Sequence, residues 1–254
     1  MKMIEIIVVD IDGCITPGEG EAADLVVLAR LAEFNRSAQH DPHTPHITLC
    51  TGRQGPYADL MCQLIGATKP AIFEHGSGFY LPQPYEFIAH PLITEEKLRM
   101  LAEMKRIVND RIVKTQLGKT QPGKEYSLSV YPKSGLTVDA LGDNLAEICE
   151  ENGFDFVIDK GVKCVNIFFS GIDKGEGVRW LAEYEGLDLA RIGGIGDAQG
   201  DLPFLEIVGF SATPANGQDS LKKKVAYLSP YENGKGTIDI IEKCIEKNAA
   251  VKGQ

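Results

Sequence analysis

Short β-branched apolar runs that alternate with helix-period segments constrain this chain more than any other feature. Residues 4–9 form the first such run, which fits a strand buried on both faces. Residues 22–34 follow, with Leu25, Leu28, Leu31 and Ala32 at helical spacing. Residues 46–50 read as a second strand after a polar loop at 37–45, residues 57–65 as a helix, and residues 71–74 as a third strand. The alternation predicts a parallel sheet with helices on both faces.

The pattern changes after Tyr80. Residues 81–84 carry two prolines, Pro82 and Pro84, and read as a linker. Residues 94–111 predict a long amphipathic helix N-capped by Thr94. Residues 125–131 alternate, with Tyr126, Leu128 and Val130 on one face and Ser127, Ser129 and Tyr131 on the other. That predicts a half-buried strand of an open-faced sheet. A helix over 136–152, stopped by Gly153, precedes strands at 154–158 and 163–169 joined by a turn at 159–161. The first pattern returns at Lys174, with helices over 176–184, 202–207 and 237–246 and strands over 191–196, 208–212 and 226–228. The expected fold class is α/β: a Rossmann-like parallel-sheet core, residues 1–81 and 173–254, interrupted by a smaller α+β unit, residues 82–172.

The 254 residues suffice for one large domain or two modest ones. An apolar share of 43% with 24% charged residues reads as an ordinary soluble globular chain. A formal net charge of −10 disfavours nucleic acid and anionic membranes as partners. It also means that a phosphate-binding site needs its own local positive charge. The six cysteines form no CxxC pair, which fits reduced thiols in a reducing compartment. The N-terminal apolar run is too short for a signal-peptide core or a membrane span. A cytoplasmic location is the expectation.

Acids cluster where strands end. Asp10 and Asp12, in Asp10-Ile11-Asp12-Gly13, close the first strand, and open α/β sheets bind ligands beyond the carboxyl ends of their strands. Two carboxylates so close are costly without a cation between them, and hard oxygen donors favour Mg²⁺. Asp197 and Asp201, in the Gly196–Asp201 segment, follow another strand of the same sheet and could complete that site. Thr51-Gly52-Arg53 offers a hydroxyl and backbone N–H groups near a helix start, a way to hold phosphate oxygens. Lys174 stands where the chain re-enters the core. Each has a plainer alternative: an Asp-capped turn, an ordinary Asp/Gly turn, a strand-to-helix turn, and a solvated lysine.

Taken in order, Asp-x-Asp-Gly, Thr-Gly-Arg, Lys and Gly-Asp-x-x-x-Asp resemble the motifs of the haloacid dehalogenase superfamily of phosphohydrolases. The resemblance covers about residues 1–80 and 174–246. The insert between the second and third motifs resembles that superfamily's type-2 cap, since residues 13–21 leave no room for the other cap type. Size and insert point to the subgroup with sugar-phosphate, sucrose-phosphate and archaeal-type phosphoglycolate phosphatases. The resemblance implies a Mg²⁺-dependent phosphatase acting on a small phosphorylated metabolite through an aspartyl phosphate. It makes Asp10 the nucleophile and Asp12 the general acid and base. Mg²⁺ falls to Asp10, Asp12 (by its carbonyl), Asp197 and Asp201. Thr51 and Lys174 support catalysis, and Thr51, Gly52, Arg53, His75, Lys174 and Asn216 surround the substrate. The expected partner is that metabolite, with self-association left open. A phosphotransferase or mutase on the same scaffold is the alternative, and a non-catalytic metabolite-binding protein a more distant one.

Three positions depart from the family pattern: Cys14 in place of Thr or Val, His75 within Glu74-His75-Gly76 in place of Asn, and Gly200 in place of Asn. Arg53 could merely pair with a surface acid, His75 be a turn residue, and Asn216 cap a helix over 218–225. In the insert, Lys124, Glu125, Lys160 and Lys163 lie near loops, where charged residues mostly face water.

Overall fold

The computed structural model describes residues 2–251 apart from Ser134. In chain order, the first part of the structure comprises β1 (Ile6–Val9), α1 (Leu25–Ala38), β2 (His46–Leu49), α2 (Gly55–Ile65), β3 (Ala71–Phe73), β4 (Gly78–Leu81) and β5 (Glu86–Ala89). Then come α3 (Glu95–Val108), β6 (Gly118–Thr120), β7 (Leu128–Pro132), α4 (Val138–Asn152), β8 (Phe156–Lys160) and β9 (Val165–Phe169). The chain closes with α5 (Lys174–Glu185), β10 (Ile192–Ile195), α6 (Leu202–Leu205), β11 (Phe210–Thr213), α7 (Asp219–Lys222), β12 (Tyr227–Leu228) and α8 (Asn233–Ala250).

The central sheet is parallel throughout, in the order β12-β11-β10-β1-β2, and a bridge from Cys50 to Ile72 continues it into β3. Every residue of β1 and β10 is buried, as the unbroken apolar run of β1 requires for a strand covered on both faces. One apolar cluster packs α1, α2 and α8 against one face, and a second packs α5 and α6 against the other. Gly66 and Gly186, both left-handed, stop α2 and α5.

The inserted segment has its own apolar cluster, built from α3, α4 and one face of a four-stranded antiparallel sheet, β6-β7-β9-β8. Thr94 and Thr137 cap α3 and α4 through their side-chain oxygens.

Several expected elements differ. Residues 81–84 are not a linker but the end of β4 and most of the turn of a tight hairpin, with β5 pairing antiparallel to β4 and Phe87 meeting Phe73 and Tyr80. The long helix of the insert ends as α at Val108 and continues as a π turn, Asn109–Val113. Strand β6 was not expected at all. The helix expected over 218–225 is the single turn α7. The second face of β7 is not open: Ser127 and Ser129 are buried because that face lies against the core.

Candidate active site

Strands β1 and β10 run side by side in the middle of the sheet, with the backbone N–H of Asp10 donating to Ile195 O. This register puts the loops that follow them next to each other. The turn after β1 needs Gly13 at φ +84°, and a Cβ there would lie 2.2 Å from Asp197 Oδ2. Only a glycine lets the Asp10 turn approach Asp197 so closely.

Asp10, Asp197 and Asp201 come together, with one carboxylate oxygen of each within 4.8 Å of the others. Lys174, at the start of α5 and 5% exposed, reaches in from below. Its Nζ donates to Asp201 Oδ1 at 2.5 Å and lies 3.1 Å from Asp10 Oδ1. That second approach is an ion pair without hydrogen-bond alignment, and Asp10 Oδ1 is a buried acceptor with no hydrogen bond. Asp201 Oδ2 accepts from the backbone N–H groups of Asp197 and Ala198, so Asp201 is engaged at both oxygens and pins the loop that carries Asp197.

Electrostatics follow from this crowding. Burial, then the neighbouring acids Asp201 and Asp12, push the Asp10 carboxyl up against the pull of Lys174. Burial, with Asp201 and Asp10, pushes Asp197 up to about 8. Burial alone would lower the Lys174 ammonium, but Asp10 and Asp201 outweigh it and hold it well above the usual lysine range. The set contains more negative charge than one lysine can offset. A hard divalent cation fits an all-oxygen set with an unpartnered acceptor on Asp10.

Asp12 is the exception among the expected convergent acids. Its carboxylate is not in the cluster but turns to Arg53, which donates Nε to Oδ2 and Nη2 to Oδ1, both at 2.6 Å. A planar guanidinium holding both oxygens outcompetes a place among three other carboxylates. Arg53 therefore pairs with an acid of the site rather than with a surface acid.

Thr51 also differs from expectation. It is 1% exposed and sits behind the cavity wall, its Oγ1 accepting from Arg53 N and its carbonyl from His75 N. The backbone N–H groups of Asp12 and Gly52 have no partner among the described residues. Both residues line a cavity of about 590 Å³ that also includes Asp10, Lys174 and Asp197. His75 lines it too, its ring stacked on Phe168 at 5.0 Å. Asn216 is engaged at both ends of its amide, donating to Gly13 O and accepting from Asn233 N, so it ties the Asp10 turn to α8 and does not cap α7. No atom lies within 4 Å of a Cβ built at Gly200, so nothing around that position is shaped by the missing side chain.

The insert supplies the roof, and the strand residues that line it were missed in the sequence. Ser129, Tyr131 and Asn166 lie on the face of its sheet opposite the apolar cluster, and all line the cavity. Glu19, in the loop after β1, accepts from Tyr131 Oη, Gln121 Nε2 and Arg53 Nη1, while its carbonyl accepts from Lys163 Nζ. Buried Glu74 accepts from Glu125 N, Tyr126 N and Ser127 Oγ, anchoring the insert to the core. The alternation of residues 125–131 carried the signal, since a polar face can cover a site as well as meet solvent. Lys160 pairs with Asp143 at the rim.

Residues 136–241 match the family described as haloacid dehalogenase-like hydrolase. Proteins named phosphoglycolate phosphatase are similar over nearly the whole chain. The one from Methanopyrus kandleri is 26% identical over 96% of this chain and 99% of its own length, and the one from Methanococcoides burtonii 28% over 94% and 96%. The fold is similar to a solved structure from Thermoplasma acidophilum, with a TM-score of 0.74 at 22% identity, covering 96% of this chain and 99% of that one. It is also similar to a haloacid dehalogenase-like hydrolase from Bacteroides thetaiotaomicron, with a TM-score of 0.72 at 15% identity, covering 94% and 99%. No helix among the described residues is long and apolar enough to cross a membrane.

Proposed function

We propose that the chain is a phosphomonoesterase of the haloacid dehalogenase superfamily and that it hydrolyses a small phosphorylated metabolite, phosphoglycolate or a near analogue, with Mg²⁺ and through an aspartyl phosphate on Asp10. The single observation that supports this best is the buried meeting of Asp10, Asp197 and Asp201 around the Lys174 ammonium at the carboxyl ends of β1 and β10. The name that these relatives share suggests the substrate.

Asp10 and Asp197 would hold the cation, with the Asp12 carbonyl, and Asp201 would fix the loop beneath it. When bound, the ion neutralises charge on the phosphoryl oxygens and on the crowded carboxylates. The protein's own groups do the rest. Asp10 attacks phosphorus, and the ester P–O bond breaks. Asp12 gives the leaving oxygen a proton. A water then attacks phosphorus, Asp12 takes its proton, and orthophosphate leaves with the Asp10 carboxylate restored. Lys174 keeps Asp10 ionised for attack. The free N–H groups of Asp12 and Gly52 would receive phosphate oxygens. The Arg53 pairing holds the Asp12 carboxylate in place at the edge of the site.

In this reading the insert acts as a cap that encloses the metabolite, its boundaries near residues 90 and 172 rather than 82 and 172, because β5 stays with β4. The test is orthophosphate release from a panel of phosphorylated metabolites, with Mg²⁺ and with chelator. Metal-dependent release that Asp10→Asn abolishes is expected. Full activity in chelator, or in pure Asp10→Asn protein, would sink the proposal.

A further inference from the structure

The cations around the cavity are unequally matched. Lys174 is held by Asp10 and Asp201, Arg53 by Asp12 and Glu19, and Lys160 by Asp143. Lys124 differs. It is 9% exposed, and its Nζ donates to the neutral Ser129 Oγ at 2.7 Å. No carboxylate among the described residues stands at ion-pair distance from it. An ammonium has three donors, so two here have no partner. Glu74 is the acid that most favours its charge, but the Glu74 oxygens already accept from Glu125, Tyr126 and Ser127. Burial therefore prevails and brings Lys124 down to about 8, which still leaves it cationic at neutral pH. A buried charge without a counter-charge is costly.

A second orphan faces the same space. The Nε2 of His75 is buried and has no hydrogen-bond partner, although the ring neighbours Asn166. The ring cannot turn away: it stacks on Phe168, and it packs so closely on Gly52 that a Cβ there would lie 2.5 Å from Cε1. Burial, with Lys124 and Lys174 nearby, holds this imidazole well below its usual range, so it is neutral. His75 thus stands between the cation of the catalytic cluster and the cation of the roof, beside the free N–H of Gly52.

We propose that Lys124 and His75 form a second anchoring point that takes a carboxylate at the far end of the substrate, so that the enzyme selects small phosphorylated hydroxy acids over the phosphates of neutral alcohols. This rests on the phosphatase reading of the Asp10 site. A carboxylate fits better than a second phosphate because one unmatched lysine balances one negative charge, and Glu19 nearby would repel a dianion. Sequence gave a hint, since His75 is one of the departures from the family motif.

The test compares 2-phosphoglycolate with 2-hydroxyethyl phosphate, which replaces the carboxylate by a neutral alcohol. The expected wild-type ratio of kcat/KM is on the order of 100 in favour of the acid, the factor that hydrogen bonds to a charged group confer. Lys124→Gln should bring the ratio below about 5, Lys124→Arg should keep most of it, and His75→Asn should lower it by about 5-fold. A ratio near one in wild-type protein overturns the inference, and needs no variant to fold. So does a Lys124→Gln protein in which both substrates fall by the same factor. Wild-type protein that hydrolyses neither ester in Mg²⁺ overturns the phosphatase reading as well, whereas hydrolysis of both at equal rates overturns the carboxylate subsite alone.

Discussion

Replacing Lys174 by methionine removes the only cation among the described residues that is in contact with the buried carboxylate cluster. Its ammonium lies 2.5 Å from Asp201 Oδ1 and 3.1 Å from Asp10 Oδ1, and its side chain is 6% exposed. At an effective dielectric of about 20, unit charges at the longer distance attract by roughly 5 kcal/mol. Much of that offsets the desolvation of the three groups. The cost of deleting one partner is different, because the anions stay buried and uncompensated. Breaking a buried pair in this way costs about 3–5 kcal/mol. For a chain of this size that corresponds to a fall in Tm of about 6–20 °C. The assay is thermal unfolding in chelator of wild type, Lys174→Met, Asp201→Asn and the double variant. The double variant should be more stable than Lys174→Met alone, because it removes an anion that the single variant strands. A loss below about 1 kcal/mol for Lys174→Met, or double-variant effects that merely add, would refute this reasoning.

Three further outcomes follow from the same geometry. In metal-free protein the Asp10 and Asp197 carboxyls rise from 3.8 to about 7 and about 8, so the folded state holds protons that the unfolded chain has lost. Their contribution to stability is therefore present below about pH 4 and is lost as pH climbs to about 8. Asp197→Asn should gain stability relative to wild type over that range in chelator, read from urea midpoints, and an opposite trend contradicts the assignment. Gly13→Ala should lose about 2–4 kcal/mol and most of its Mg²⁺ affinity by calorimetry, because its Cβ collides with Asp197 at a left-handed backbone position; unchanged affinity counts against the site. Glu74→Ala strands three donors of residues 125–127 and should cost about 3 kcal/mol, with faster amide exchange there; unaltered exchange would show that the seam is held elsewhere.

The core was legible in the sequence for a local reason. β1 and β10 are fully buried, so their apolar runs are uninterrupted, and the acids that end them stand out against that background. Asp10, Asp197 and Asp201 could be picked out because their motifs adjoin strand ends, and Lys174 because it stands where the chain re-enters the core. What was not legible depends on contacts between distant segments. The carboxylate of Asp12 is placed by a guanidinium 41 positions away, and Glu19 by Tyr131, 112 positions away. Lys124 looks like any loop lysine until the insert that carries it packs over the core. Ser129 alternates with Leu128 whether its face meets water or an active site. The β4–β5 hairpin was masked by two prolines, which read as a linker but here lie within the turn.

The account stands or falls on covalent transfer to the first strand's terminal acid. The most direct measurement is rapid acid quench of wild-type protein turning over 2-phosphoglycolate labelled in the phosphoryl group, followed by peptide mapping. Label on the peptide that contains Asp10, absent from Asp10→Asn and from chelator-treated enzyme, is the predicted result. Turnover with no labelled peptide under any quench time, or label on a peptide lacking Asp10, would contradict it.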